Sequence, residues 1–200
     1  MKCEGKSNIL ENKTRPVVFL DRDGVLCEEH GYVTSIDELR IFPYAQEAIQ
    51  RLHDLGYLVI VITNQSAIAR GVVSEEKVND INRYIALKTG VDGVYCCPHY
   101  PPGDGEPESQ PYRIFCDCRK PKTGLIDRAA HDFALDMNTV WFVGDRAGDI
   151  ETGRAIGANT VLLESGYGTA RLEAPVKPDF VFNTLLDFVK HLEEERKHAV

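Results

Sequence analysis

Short apolar runs rich in β-branched and aromatic residues recur along this chain: PVVFLD (16–21), YLVIVITN (57–64), VDGVYCC (91–97), TVWFVGD (139–145) and NTVLLE (159–164). Runs of this length with no polar alternation are strands buried on both faces, as in a parallel sheet. Segments with helical spacing lie between them. AQEAIQRLHDLG (45–56) stops at Gly56, and a residue without a Cβ suits the left-handed turn that ends a helix. SEEKVNDINRYIALKTG (74–90) opens on Ser74 as a candidate N-cap, places two glutamates at the positive end of the helix dipole, and closes on Gly90. GLIDRAAHDFAL (124–135) and DIETGRAIG (149–157) predict two more helices, DFVFN (179–183) an edge strand, and LLDFVKHLEEERKH (185–198) a final helix. Strand and helix in strict alternation predict an α/β, doubly wound, mostly parallel sheet with right-handed crossovers. The 200 residues suit one such domain over 16–200, after a loosely held polar lead-in at 1–15.

In open α/β sheets, ligands bind beyond the carboxyl ends of the strands. That rule puts Asp21 and Asp23, then Thr63, Asn64 and Gln65, then Gly144 and Asp145 on one rim, with Asp149 just beyond. Two carboxylates a few ångström apart repel, so one holds a proton unless a cation sits between them. Oxygen ligands of this kind suit Mg²⁺, which takes one or two carboxylates and keeps several waters. A hydroxyl (Thr63), an amide (Asn64) and the cations Arg119, Lys120 and Arg146 complete an inventory for phosphoryl transfer. A lone Asp-x-Asp is more often a solvated turn, and acids at a helix start are common. The separate ITNQ and VGDRAGD strand ends reverse those odds.

Acidic residues outnumber basic ones by 31 to 23, and the net charge of −8 argues against nucleic acid or an anionic membrane as partner, since both need a basic field. No apolar run approaches the roughly 18 residues of a bilayer span. MKCEGKSNILENKTR has no apolar signal core, so the expected compartment is the cytoplasm, and an acidic monomer the expected state.

Six cysteines in such a chain need another account. Cys96 and Cys97 are adjacent and Cys116 and Cys118 flank one residue, which disfavours disulfides and leaves metal ligation as the better reading. Cys97-Pro-His99 and Cys116-Asp-Cys118 bracket an insert (97–121) that holds five of the ten prolines before its closing Arg119-Lys120-Pro121. Side chains at i and i+2 of an extended chain point the same way, and two such pairs make a four-ligand N/S set without an open position, a structural Zn²⁺ site. Metal affinity would then become folding free energy for a loop that lacks other order. Cys3, Cys27 and Cys96 read as plain thiols.

Four motifs on successive strand ends resemble those of the haloacid dehalogenase-like phosphohydrolases: FLDRDGV, VITNQ, DCRKP and VGDRAGD, across about 17–164. The resemblance implies a Rossmann-like fold without a large cap domain. It makes Asp21 the nucleophile that forms an aspartyl-phosphate and Asp23 the acid that protonates the leaving oxygen and then activates water. It assigns Mg²⁺ to Asp21, Asp145 and the backbone carbonyl of Asp23, with Asp149 bound to the metal or just behind it, and the transferring oxygens to Thr63 and Lys120.

CPH, CDCRKP, NQSAIARG (64–71), EEHGYV (28–33) and the long proline-rich insert resemble a narrower group, the D-glycero-D-manno-heptose 1,7-bisphosphate phosphatases of nucleotide-activated heptose biosynthesis; the related histidinol-phosphate phosphatases are the alternative. The resemblance implies a small phosphosugar substrate contacted by Glu29, His30, Gly31, Tyr32, Asn64, Gln65, Ser66, Arg119 and Arg146. A bisphosphate also needs a subsite for the phosphate it keeps. Arg119 offers the bidentate fork for that, and Arg70 is a second candidate. The chain departs from the group at Arg146, where lysine is usual, and at Ala67, where glycine is usual. Rival readings are a receiver-type signalling domain phosphorylated on aspartate, a phosphosugar mutase, and a zinc-stabilised binding module with an inactive site.

Overall fold

Alternate residues of the first strand face two different cores. In the computed structural model, which describes residues 14–103, 111–172 and 176–198, Val18 and Leu20 pack into one apolar cluster while Val17 and Phe19 pack into another. This is strand β1 (Arg15–Leu20), the third of a six-stranded sheet. The others are β2 (Leu58–Asn64), β3 (Gly93–Cys97), β4 (Leu135–Gly144), β5 (Asn159–Leu163) and β6 (Phe180–Phe182), in spatial order β3-β2-β1-β4-β5-β6 and all parallel. The helices are α1 (Ala45–Asp54), α2 (Glu75–Thr89), α3 (Gly124–Asp132), α4 (Ala147–Ala155) and α5 (Leu185–His198).

Helices α1, α2 and α5 cover one face through Ile49, Leu52, Ile81, Ile85, Phe188 and Leu192. Helix α3 covers the other through Leu125, Ile126 and Ala129, joined by Ile156 at the end of α4. A fully buried Phe, Leu or Ile contributes about 1.5–3 kcal/mol over an exposed one, and this reserve offsets the cost of burying charges at the strand ends. The sheet order reverses between β1 and β4, where doubly wound sheets open a crevice.

Ser74 accepts a hydrogen bond from the Lys77 N–H at the start of α2, and Gly90 ends that helix in the left-handed region. Two boundaries differ from the sequence reading. The helix expected over 124–135 ends at Asp132, because Phe133 turns extended and Leu135 is taken by β4, where it pairs with Arg15. The helix expected from 149 starts at Ala147, so Asp149 lies inside its first turn. Arg15 belongs to β1, whereas the rest of the expected lead-in up to 13, with Cys3, and the insert's 104–110 lie outside the described residues. Among the described residues no helix is long and apolar enough to cross a membrane.

Candidate active site

Register brings the acids together. Leu20 pairs with Val143, so Asp21 follows on β1 and Asp145 emerges beside it from β4. The Asp21 N–H donates to the Val143 carbonyl at 2.9 Å. Asp149 arrives from the first turn of α4, and one oxygen from each of Asp21, Asp145 and Asp149 lies within 4.8 Å of the others. Lys120 reaches into this cluster with Nζ 2.9 Å from Asp21 Oδ1 and 2.6 Å from Asp149 Oδ1. The other Asp149 oxygen accepts the backbone N–H groups of Asp145 (3.2 Å) and Arg146 (3.1 Å), so Asp149 is held on both sides.

Asp145 is not. Its Oδ2 accepts the Tyr167 N–H at 2.8 Å, but Oδ1 is buried with no hydrogen-bond partner among the described residues, Arg146 Nε standing off at 3.7 Å. Burial first, and then the neighbouring Asp21 and Asp149 charges, push Asp145 up to about 7. Burial likewise pushes Asp21 up to about 6 although Lys120 opposes it. A buried carboxylate oxygen lacking a donor, between two further carboxylates, is an arrangement that a divalent cation satisfies. The residues present fit Mg²⁺.

Asp23 is turned into a separate grip. Arg22, only 2% exposed, forks onto it with Nε to Oδ1 (3.0 Å) and Nη2 to Oδ2 (2.9 Å), and its Nη1 is tied to Asn82 Oδ1 (3.0 Å). Gln65 donates to Asp23 Oδ2 at 2.8 Å and to Thr63 Oγ1 at 3.0 Å. Burial works to raise the Asp23 pKa, but the Arg22 charge and these hydrogen bonds outweigh it and hold the carboxyl below the usual range. Asn64 has a comparable task. Its amide donates to the Lys120 carbonyl (3.2 Å) and accepts the Lys120 N–H (3.1 Å), pinning the lysine's backbone.

Asp21, Asp23, Asn64, Gln65, Lys120 and Asp149 border a cavity of about 420 Å³ that is lined also by Glu29, Gly31, Tyr32, Ser66, Ala67, Arg119 and Arg146; Asp145 and the expected Thr63 are buried outside its lining. The expected His30 is not in it: its ring pairs with Glu28 at 2.9 Å and lines a neighbouring surface hollow. Arg70 stands behind the wall, stacked 4.1 Å from the Tyr100 ring centroid. A larger hollow of about 800 Å³ runs along edge strand β3 between α2 and α3, away from the acid cluster. The acid cluster borders the smaller one.

The cysteine pairs converge as their spacing suggests. Cys97 Sγ lies 3.8 Å from Cys116 Sγ and 3.2 Å from Cys118 Sγ, and His99 Nδ1 lies 3.2 Å from Cys118 Sγ. Burial first, with the neighbouring thiols, pushes Cys97 upward, and burial pushes Cys118 upward too, whereas burial at Cys116 is outweighed by hydrogen bonds from Cys118 and the backbone, which hold it below the usual thiol range. Edges of 3.2–3.8 Å suit ligands about 2.3 Å from a tetrahedral metal. Arg119 Nη1 donates to the His99 carbonyl at 3.2 Å, which ties this loop to the cavity.

Two aromatic residues escaped the sequence reading. Tyr100 and Tyr167 both line the cavity, each with an arginine over its ring: Arg119 at 5.1 Å and Arg146 at 4.3 Å. Tyr167 follows β5 on the same rim, so the strand-end rule contained it. Arg22 and Asn82 were hidden because the sequence gives no sign that an arginine between two acids turns inward.

Residues 117–188 match a family model described as "HAD-hyrolase-like". The chain is 37% identical to the D-glycero-beta-D-manno-heptose-1,7-bisphosphate 7-phosphatase of Haemophilus ducreyi, over 89% of this chain and 98% of that protein. It is 33% identical to the protein of the same name from Escherichia coli K12, over 94% and 98%. Its structure resembles D,D-heptose 1,7-bisphosphate phosphatase from B. bronchiseptica, solved with magnesium and phosphate, at a TM-score of 0.74 and 31% identity, covering 90% of this chain and 99% of that one.

Proposed function

The chain belongs to the D-glycero-β-D-manno-heptose-1,7-bisphosphate 7-phosphatase family of haloacid dehalogenase-like hydrolases, and from that premise we propose that it hydrolyses the C7 phosphate of this sugar bisphosphate through an aspartyl-phosphate on Asp21. The observation that carries the reading is the meeting of Asp21, Asp145, Asp149 and Lys120 at the point where the sheet order reverses.

In the first step an Asp21 oxygen bonds to phosphorus as the bond from phosphorus to the sugar oxygen breaks, and Asp23 gives that oxygen a proton. In the second, water attacks phosphorus, Asp23 takes its proton, and the Asp21–phosphorus bond breaks to free phosphate. Without substrate Asp23 is an anion in the grip of Arg22; the arriving phosphate dianion raises its proton affinity, as any like charge does, so that it takes a proton from solvent before the first step and holds it for the leaving oxygen. Lys120 and the Thr63 hydroxyl hold the transferring oxygens, while Asn64 and Gln65 position them. Arg119 binds the retained phosphate. Asp21, Asp145 and the backbone carbonyl of Asp23 would hold Mg²⁺, which when bound supplies the positive charge that lets a carboxylate approach a phosphate dianion. Cys97, His99, Cys116 and Cys118 would hold a structural Zn²⁺ that orders the loop carrying Arg119 and Lys120.

Phosphate release from both anomers of the heptose bisphosphate, from histidinol phosphate and from fructose bisphosphate tests the reading. The β anomer named for the relatives is expected to be the best substrate, and Asp21→Asn to lose activity by about three orders of magnitude or more. Full activity in Asp21→Asn overturns the mechanism, and preference for histidinol phosphate overturns the substrate.

A further inference from the structure

One arginine joins the two loops at the cavity mouth. Arg146 sends Nη2 to Glu29 Oε2 at 2.5 Å while its guanidinium lies 4.3 Å from the centroid of the Tyr167 ring. Glu29 Oε1 accepts the N–H of Gly31 at 2.7 Å, and Gly31 (φ +88°) makes the left-handed turn of the sugar-facing loop at 28–32. Tyr167 is anchored from behind, through its N–H to Asp145 at 2.8 Å. A line of contacts therefore runs from Asp145 through Tyr167, Arg146 and Glu29 to Gly31, spanning the mouth.

Resting on the function proposed above, we propose that Tyr167 is a positioning residue for substrate selection: its ring carries Arg146 as a strap that clasps Glu29 and fixes the sugar-facing loop, so that Arg146 serves the loop and is not a phosphate ligand. The Glu29 side chain is only 9% exposed, and a carboxylate that buried needs a charged partner. A guanidinium can lie flat on an aromatic ring and still present in-plane N–H donors to a carboxylate, whereas an ammonium is a point donor that does not stack. Arginine at 146 and tyrosine at 167 thus form one device, which accounts for the departure from lysine seen in the sequence.

The test compares wild type with Tyr167→Leu, Tyr167→Phe, Arg146→Lys and the Tyr167→Leu/Arg146→Lys double variant. KM and kcat are measured for heptose bisphosphate and for p-nitrophenyl phosphate, which has neither sugar nor second phosphate. Tyr167→Leu and Arg146→Lys are each expected to raise the bisphosphate KM about tenfold with kcat within about threefold, Tyr167→Phe to behave as wild type, and the double variant to be no worse than either single one. Selectivity for the bisphosphate over p-nitrophenyl phosphate falls by the same factor. An unchanged KM in Tyr167→Leu overturns the strap, as do effects that multiply to about a hundredfold in the double variant, the mark of two independent contacts. An equal loss on both substrates overturns it too, since that reports general damage. If Tyr167→Leu does not fold, Arg146→Lys carries the same expectation alone, and a wild-type KM there is fatal to the idea. Failure of the proposed function looks different: wild type itself would not prefer the heptose bisphosphate.

Discussion

Gly166 lies against Asp145, the carboxylate proposed to hold the cation, so Gly166→Ala isolates that carboxylate's part. A Cβ there would meet Asp145 Oδ2 at 2.2 Å and the Asp145 Cβ and Cγ at 2.7 Å, well inside ordinary contact of about 3.5 Å. Gly166 is not among the glycines with positive φ, so alanine adds a steric demand without backbone strain. Gly24 adjoins Gly166 at the same oxygen, where a Cβ on Gly24 would lie 2.5 Å from Oδ2 and 3.0 Å from the Gly166 Cα, so both glycines crowd this carboxylate. The carboxylate must rotate and give up the Tyr167 N–H bond at 2.8 Å. A hydrogen bond to a charged group is worth about 1.5–3 kcal/mol, and each ~1.4 kcal/mol is tenfold in affinity. The Mg²⁺ concentration for half-maximal activity should therefore rise about 10- to 100-fold, with much of kcat restored at saturating Mg²⁺. Phosphate release by metal-stripped protein, titrated with Mg²⁺, gives that constant directly. A wild-type activation constant in a folded Gly166→Ala protein would refute the assignment of Asp145 to the cation.

Arg22→Met should leave the Asp23 charge buried and unpaired, a loss of about 3–5 kcal/mol, and at about 2–4 °C per kcal/mol for a chain of this length the melting temperature should drop by roughly 6–20 °C; Arg22→Met/Asp23→Asn should recover part of it in the same thermal melts. Elemental analysis should find one zinc per chain; after its removal, or in Cys118→Ser, limited proteolysis should cut between β3 and α3 before the core and KM should rise, and an intact loop with unchanged kinetics would count against a structural metal. Glu193 is held below the usual glutamate range by hydrogen bonds from Arg51 (2.5 and 2.8 Å), which outweigh a small effect of burial. A depressed folded pKa stabilises above the unfolded value and fades as pH falls through the folded one. The melting temperature of wild type should therefore exceed that of Glu193→Gln near neutral pH, and the gap should close below about pH 4.

Most of the fold was legible because strands buried on both faces and helices covered on one leave different periodicities. Leu135 was misread for the same reason: an apolar residue at the end of a helical pattern looks alike whether it closes the helix or opens the next strand. At the site, residue type and strand-end position were enough to find Asp21, Asp145, Lys120 and the Cys/His set. Direction was not. Whether Asn64 faces a ligand or pins the Lys120 backbone depends on a chain segment 56 residues away, and nothing local encodes it. His30 fell outside the cavity because an exposed loop alternates its side chains between the mouth and the outer surface, and Glu28 was there to pair with it.

For an acidic protein, the proposed substrate with two phosphates poses an electrostatic problem, which the site resolves locally. Asp21, Asp23, Glu29, Asp145 and Asp149 are five acids against the four cations Arg22, Arg119, Lys120 and Arg146, so full ionisation leaves one negative charge in excess, and burial pushes Asp21 and Asp145 toward protonation instead. Arg22 is committed to Asp23, Arg146 to Glu29, and Lys120 to Asp21 and Asp149. Only Arg119 is bound chiefly to a neutral group, the His99 carbonyl. A divalent cation beside Asp145 reverses the sign of the whole set and frees Lys120 to turn from carboxylate to phosphate, so cation and substrate should bind with mutual reinforcement. Their cooperation follows from the deficit, because a pocket that was already positive would gain little from the metal. The order of buried groups around Asp145 is therefore what would allow a chain of net charge −8 to hold the proposed polyanion.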